Sequence, residues 1–563
     1  MSAWYSGYSA QTAGRDFGAA VVVVVMLVPQ SLAYAQLAGM PLQTGLYASI
    51  LPLVAYALFG SSSTLSVGPV AVISLMTASA LAGLAPAGSA EYLMLATWLA
   101  MLSGLMLLAA GCLRMGFVAN LMSHPVIAGF MTGAAVLIVL GQLKPLFGMQ
   151  GHGETAFQLA RSLVSHRASV HLPSALMGAG ALVLLWSLPR LIRRLGVHWE
   201  LGAGGVEVAC KLTPVLLVFL AIFVTVMLDL EQRFGLAVVG QIPRGLPVFG
   251  LEFPGRAQLV SLLLPAFIIG LIGFVESVSV AQSLAMHRRE SIDSNAELRG
   301  LGAANIAAAV SGGFPVTGGL SRSIVNFSAG ARTPLAGVYA AGLMLGVVSF
   351  LTGMFATLPH TVLAAVIIIP VLGLIDLSVL RHAWGYARAD AWAYLGTALG
   401  VMGLGIELGI LLGVGISVTT IVWRASVPHI AEIGRVPGTV HYRNTKRAQV
   451  MTYPHLLALR IDADLFFANV RPVERVIEAA LSARPGITKL VLDLSGVNHI
   501  DLTGLDGLRA LNRNLRTRGI DLYLAEVKGP VLDRLERSTF LSELAARPFR
   551  FTHDAFLALN AGD

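Results

Sequence analysis

The chain has 563 residues, of which 56% are hydrophobic and only 12% charged, against roughly 25% charged in ordinary soluble domains. That balance excludes a wholly soluble globular protein and points to a polytopic membrane protein. The net charge of +8 fits basic cytoplasmic loops better than a nucleic-acid surface, and two cysteines, Cys112 and Cys210, support neither a disulfide framework nor a metal cluster.

The first twenty residues lack a basic n-region and a small-residue cleavage site, so they read as a polar head and not as a signal peptide. Apolar stretches of spanning length then start near 17, 44, 69, 91, 122, 172, 212, 258, 295, 318, 335, 361, 387 and 405. That makes fourteen spans, several of them short or broken by glycine. In the first, Gln30 and Tyr34 stand at i and i+4 on one face. They line a pocket or serve as polar glue between helices. The small residues of GLYASILPLVAYALFGSSS (45–63) mark tight packing more than ligand contact. His124 reads as a span boundary, and Lys144 and Glu407 as interfacial. Arg114, LPRLIRRLG (188–196), MHRRE (286–290) and RHAWGYAR (381–388) all follow even-numbered spans. Positive loops stay inside, so both termini are expected in the cytoplasm. Loops after the fifth and seventh spans also carry Lys or Arg, against this pattern.

A repeat runs through the spans. At an offset of 246, Ser31, Ala35 and Gln36 fall on Ser277, Ala281 and Gln282, Gln30 falls opposite Glu276, and Pro69-Val70 falls on Pro315-Val316. Seven spans per repeat is odd, so the halves are inverted, which is a transporter architecture with its site near the midplane. SVGPVAV (66–72) and GGFPVTGGLSRS (312–323) each read as an extended piece feeding a half-helix that begins inside the membrane. Two such N-termini facing each other make an anion site, with Gly318 and Gly319 allowing close approach. Arg322 falls one turn into the second half-helix. A mid-span charge costs about 3 kcal/mol on insertion scales and needs a partner or a wet cavity. Glu276 either exchanges a proton beside Arg322 or braces it in a static ion pair. Ser321 contacts the ligand or caps the half-helix.

The tail differs in composition. Residues 1–424 carry 35 charged residues and the much shorter 425–563 carry 33. The expected division is a transmembrane domain at 1–424, a linker at 425–439 and a cytoplasmic domain at 440–563. Strands at 456–462, 489–496 and 521–527 alternate with helices at 470–483, 502–518 and 530–537, a small α/β domain.

VPQSLAYAQLAG (28–39), GLYASILPLVAYALFGSSSTLSVGPVAVISL (45–75), FPVTGGLSRS (314–323) and DLSGVNHIDLTGLDGL (493–508) carry a family likeness. The chain resembles the sulfate permease (SulP, solute carrier 26) anion transporters over nearly its whole length. The tail resembles the STAS domain, named for sulfate transporters and anti-sigma-factor antagonists. The resemblance implies a polytopic α-helical protein of fourteen spans in two inverted sevens, divided into core and gate domains, an elevator-like movement of the core, and a homodimer. It carries the family's anion site onto Gln30, Tyr34, Val70, Ala71, Gly319, Leu320, Ser321 and Arg322. Glu276 matches the eighth-span acid linked to cation coupling. An aromatic is common where Val70 stands, PLQTGLY (41–47) departs from the usual Pro-x-Tyr-Gly-Leu-Tyr form, and sodium-coupled bicarbonate members tend to carry Asp in the eighth span and to lack the arginine. Thr503 in Asp501-Leu502-Thr503-Gly504 matches the phosphorylated position of the antagonists, and is otherwise an ordinary first-turn threonine in a domain used for dimerisation and trafficking.

The reading is a secondary active transporter of a small anion, with proton-coupled sulfate symport foremost and no cofactor. Its partners are the anion, a coupling proton or sodium, the bilayer, a second copy of the chain and a cytoplasmic partner of the tail. Bicarbonate or C4-dicarboxylate symport, anion exchange, an anion channel, a nucleobase symporter and a non-transporting sensor that signals through the tail are the alternatives. An enzyme is disfavoured, since the chain shows no nucleophile–base pair or metal-ligand cluster.

Overall fold

The computed structural model describes residues 8–149, 153–198, 206, 209–210, 212–243, 245 and 252–560. By its contacts the chain forms two compact units, Met1–Ser417 and Val418–Asp563.

The first unit is helical: α1 (Ala10–Leu37), α2 (Leu42–Tyr47), α3 (Leu51–Phe59), strand β1 (Val67–Gly68), α4 (Ala71–Leu81), α5 (Ala90–Cys112), α6 (His124–Phe147), α7 (Ala156–Ser165), α8 (Leu172–His198), α9 (Thr213–Met227), α10 (Leu230–Phe234), α11 (Arg256–Arg288), α12 (Ser294–Val310), strand β2 (Thr317–Gly318), α13 (Leu320–Ser328), α14 (Leu335–Gly346), α15 (His360–Leu372), α16 (Leu377–Tyr386), α17 (Arg388–Leu404) and α18 (Ile406–Ser426). A helix stands at every place expected for a span. Among the described residues nine helical stretches are long and apolar enough to cross a membrane, three of them (Leu42–Phe59, Leu335–Phe355 and His360–Tyr386) made of consecutive elements. At 1.5 Å per residue, α4 with 11 residues and α13 with 9 each reach about 15 Å, half the hydrocarbon core.

The helix contacts concentrate in two groups, bridged by α1 against α15 and by α4 against α6. In one, α1 contacts α13 and α14, α11 contacts α4, α5, β2 and α13, and α12 lies on α3 and α5. In the other, α6 contacts α8, α15 and α17. Small residues permit the closest approaches. A Cβ at Gly129 would stand 2.4 Å from the Tyr394 carbonyl, and one at Gly45 would stand 2.0 Å from the Ser31 carbonyl. Ser31 and Ser49 hydroxyls pair at 2.7 Å across the α1 contact. The small residues from Gly45 onward therefore serve packing, as their spacing suggested.

The second unit has a five-stranded sheet in the order β4-β3-β5-β6-β7: β3 (Ile430–Arg435), β4 (Tyr442–Asn444), β5 (Leu456–Ile461), β6 (Lys489–Asp493) and β7 (Asp521–Ala525). The last three are parallel, and β3 is antiparallel to both β4 and β5. α19 (Val470–Ser482), α20 (Leu502–Thr517) and α21 (Gly529–Glu536) pack on one face through Ile477, Leu511 and Leu535, and α22 (Thr552–Asn560) covers the other through Phe556. The strands and helices read from the sequence are present. The stretch expected as a linker, 425–439, differs: its Ile430–Arg435 pairs into the sheet. Its charges and prolines hide a strand whose pairing partner, β5, is supplied by tertiary contact.

Candidate anion-binding site

The site begins where two extended segments meet. β1 and β2 pair antiparallel, Val67 opposite Gly318 and Gly68 opposite Thr317. Each runs straight into a half-helix, α4 after its cap Val70 and α13 after its cap Gly319. Both caps are extended and neither helix start has a side-chain cap hydrogen bond. The first helical bonds are Ser74 N to Val70 O and Ser323 N to Gly319 O, both 2.9 Å. The amides of Ala71, Val72 and Ile73, and of Leu320, Ser321 and Arg322, therefore precede the first helical bond and have no partner within their helices. Each N-terminus carries about half a positive charge.

The prolines do not occupy matching places. Pro69 directly precedes the cap Val70, whereas Pro315 stands before β2, four residues ahead of the cap Gly319. The 246-residue offset thus fails to superpose the helix starts by three residues. What aligns them is the strand pairing, supported by neighbouring side chains. Ser277 of α11 accepts from Gly318 N at 2.9 Å and pairs with the Thr317 hydroxyl at 2.7 Å. Ser323 accepts from Ser66 N at 3.0 Å, and Asn326 donates to Thr64 O at 3.0 Å.

A cavity of about 300 Å³ opens at the two helix starts. Gln30, Tyr34, Val70, Ala71, Gly319, Leu320, Ser321, Arg322 and Glu276 all line it, so nine residues read from the sequence come together. The opposite wall, Pro370, Val371, Gly373 and Leu374 at the end of α15, was not foreseen. Its one signal was Pro370 inside an apolar helix.

Arg322 is 1% exposed. Its Nη1 donates to the Pro69 carbonyl at 2.6 Å, tying the second half-helix to the approach of the first. Its Nε and Nη2 are buried without a hydrogen-bond partner. The glycines make room for this group. A Cβ at Gly319 would lie 2.9 Å from Arg322 Nη2, and one at Gly68 would lie 3.3 Å from it. Gly318 is small for a different reason, since its Cβ would meet the Leu65 side chain at 2.7 Å. The glycine pair was expected to admit ligand to the backbone. In the fold Gly319 admits the guanidinium and Gly318 admits Leu65.

Glu276 presents a buried, unpartnered Oε2, and among the described residues no ion pair within 4.0 Å joins it to Arg322. The static brace is thus not formed here. Arg322 with two unpartnered nitrogens and the two helix N-termini border one small cavity, an arrangement complementary to a compact anion; the Glu276 carboxyl beside them suits an anion only when protonated. On the second unit, Thr503 lies exposed in the first turn of α20. The cap Asp501 accepts from Gly504 N at 2.7 Å.

The fold and this cavity define a multi-pass helical membrane protein with an appended α/β domain. Residues 14–397 match the Sulfate permease family and residues 447–555 match the STAS domain. The chain belongs to the sulfate permease family of membrane transporters. A probable sulfate transporter of Mycobacterium tuberculosis is 35% identical over 531 residues, covering 94% of this chain and 92% of that protein. The chloroplastic sulfate transporter 4.1 of Arabidopsis thaliana is 35% identical over 558 residues, covering 96% and 79%. Among solved structures, the murine solute carrier 26 member A9 anion transporter, inward-facing, matches with TM-score 0.89 at 22% identity, over 99% of this chain and 93% of that one. The transmembrane domain of a cyanobacterial bicarbonate transporter matches with TM-score 0.61 at 24% identity, over 73% and 98%.

Proposed function

We propose that the protein is a secondary active carrier of a small oxyanion, sulfate foremost, moved together with a proton. The observation that carries this reading is the buried Arg322, with two unpartnered nitrogens, beside the free amides of both half-helices. An unpaired buried guanidinium is costly, and a bound dianion removes that cost. Glu276 supplies the coupling group. Its carboxyl lines the same cavity without holding Arg322 in an ion pair, so it is open to take up a proton as the anion binds. The names of the Mycobacterium and Arabidopsis relatives point to sulfate.

The two packed helix groups support a division into core and gate. In this reading the strand pair and both half-helices move with α1, α11 and α12 past α6 and α15, in an elevator-like step. Two inverted sevens, a homodimer, and both termini in the cytoplasm complete the proposal, with 1–424 transporting and the tail regulating. Thr503 is an accessible place for phosphate, where the helix N-terminus tolerates added negative charge.

The test is uptake of labelled sulfate, bicarbonate and succinate into proteoliposomes, with and without an inward proton gradient, then with sodium. Gradient-driven accumulation of sulfate is expected. Uptake that ignores the proton gradient but follows sodium overturns the coupling. Binding without uptake of any anion favours a sensor. Glu276→Gln is expected to lose proton-driven accumulation and keep sulfate–sulfate exchange.

A further inference from the structure

We propose that α12 is the template that sets the spacing of the two half-helix N-termini, and that Glu297 and Asn305 on it are positioning residues for the anion. This inference rests on the reading of the cavity as the anion site. None of the residues lining the cavity comes from α12. Yet both segments that enter the cavity are held by it through their backbones.

Glu297 is 0% exposed. Its carboxylate accepts from the Tyr56 hydroxyl at 2.9 and 2.7 Å, from Ser61 N at 2.8 Å, from the Ser61 hydroxyl at 2.7 Å and from Ser62 N at 3.1 Å. A carboxylate is acceptor-only, and here it gathers the donors of the turn between α3 and β1. The Ser62 hydroxyl passes the constraint on, accepting from Thr64 N at 3.4 Å and Leu65 N at 3.2 Å. β1 follows, then Pro69, whose carbonyl receives Arg322.

Two turns along α12, Asn305 is 2% exposed. Its Oδ1 accepts from Val316 N at 2.9 Å, and its Nδ2 donates to Val316 O at 2.9 Å. That is a double clamp on the residue before β2. The turn before the first strand and the residue before the second are thus fixed to one rigid helix. A charge-assisted set of bonds holds the first, and an amide matched to both backbone groups holds the second. The gap between the two rows of free amides, and hence the fit to a small anion, is set at a distance. An active-site geometry held by such supporting contacts loses affinity when they slacken, even where the binding groups are all present.

The experiment measures labelled-sulfate binding and uptake by the full chain in vesicles, for Glu297→Gln, Tyr56→Phe and Asn305→Ala. Asp16→Asn is the control. Asp16 is also 0% exposed, and it holds Arg332 N, Thr333 N and the Thr333 hydroxyl, at the turn after α13. The expected result is a rise in the half-saturating sulfate concentration, about tenfold or more for Glu297→Gln and Asn305→Ala and about threefold for Tyr56→Phe. Maximal exchange rate should change less than affinity. Asp16→Asn should lower the melting temperature without moving the half-saturating concentration. Should Glu297→Gln fail to fold, Tyr56→Phe and Asn305→Ala carry the test. Half-saturation within twofold of the parent in both, or an equal shift in Asp16→Asn, overturns the template. Absence of saturable sulfate binding in the parent protein overturns the anion site itself, a separate outcome.

Discussion

In the proposed function, Arg322 is the residue on which anion binding turns. Two of its three nitrogens are buried and unsatisfied, and the third is spent on Pro69. Charge-assisted hydrogen bonds contribute about 1.5–3 kcal/mol, so Arg322→Ala should weaken sulfate binding by roughly 10- to 100-fold or more. Equilibrium binding with the purified protein checks this, and unchanged affinity removes Arg322 from the site. Arg322→Lys keeps the charge but lacks the planar fork, and should fall between the two. The importance of Arg322 was legible from one fact, a charge within an apolar run. Its contact with Pro69 was not, because those residues are 253 positions apart. Sequence spacing carries no information about such a pair.

Among elements, the half-helices separate two uses of glycine that composition alone cannot. In Gly319→Ala the new methyl meets the far end of a side chain, Arg322 Nη2 at 2.9 Å. The guanidinium can swing away, so the fold should survive while sulfate affinity falls by roughly tenfold, the worth of one displaced hydrogen bond. In Gly45→Ala the methyl meets the Ser31 carbonyl, backbone that cannot yield, at 2.0 Å. That change should lower stability by about 1–3 kcal/mol, read as a drop in melting temperature. In the appended domain, His429 just before β3 and Arg460 of β5 both bind Asp462 just after β5. Asp462 accepts from His429 Nδ1 at 2.8 Å and from Arg460 Nε at 2.6 Å. Burial alone would raise its pKa, but the hydrogen bonds from Arg460 and His429 outweigh this and hold it below the usual carboxylate range. A carboxyl depressed in the folded state stabilises the fold above its unfolded pKa of about 3.9. That contribution is lost as pH falls through the folded value. Asp462→Asn should therefore reduce the acid sensitivity of unfolding below about pH 4, measured by circular dichroism across a pH series.

At the scale of the whole molecule, the amino-acid sequence determined a great deal by itself. It fixed a membrane-embedded unit and a charged α/β tail through composition. It placed the helical segments through hydrophobic runs, and it marked candidate site residues through glycine, proline, polar and charged residues within apolar runs and the family resemblance. Each of these is a local signal, since helix formation and membrane partition depend on a window of about twenty residues. Tertiary structure decided the rest. It paired the extended segments ahead of the two half-helices, whose starts the 246-residue offset misses by three. It left Glu276 and Arg322 without an ion pair, and it supplied the wall at Pro370–Leu374. It enlisted Ile430–Arg435 as a strand, and it made α12 the common anchor of both strands through Glu297 and Asn305. These outcomes share a cause. Each depends on which groups, backbone or side chain, meet across distant stretches of chain, and such contacts leave no periodic trace in either segment.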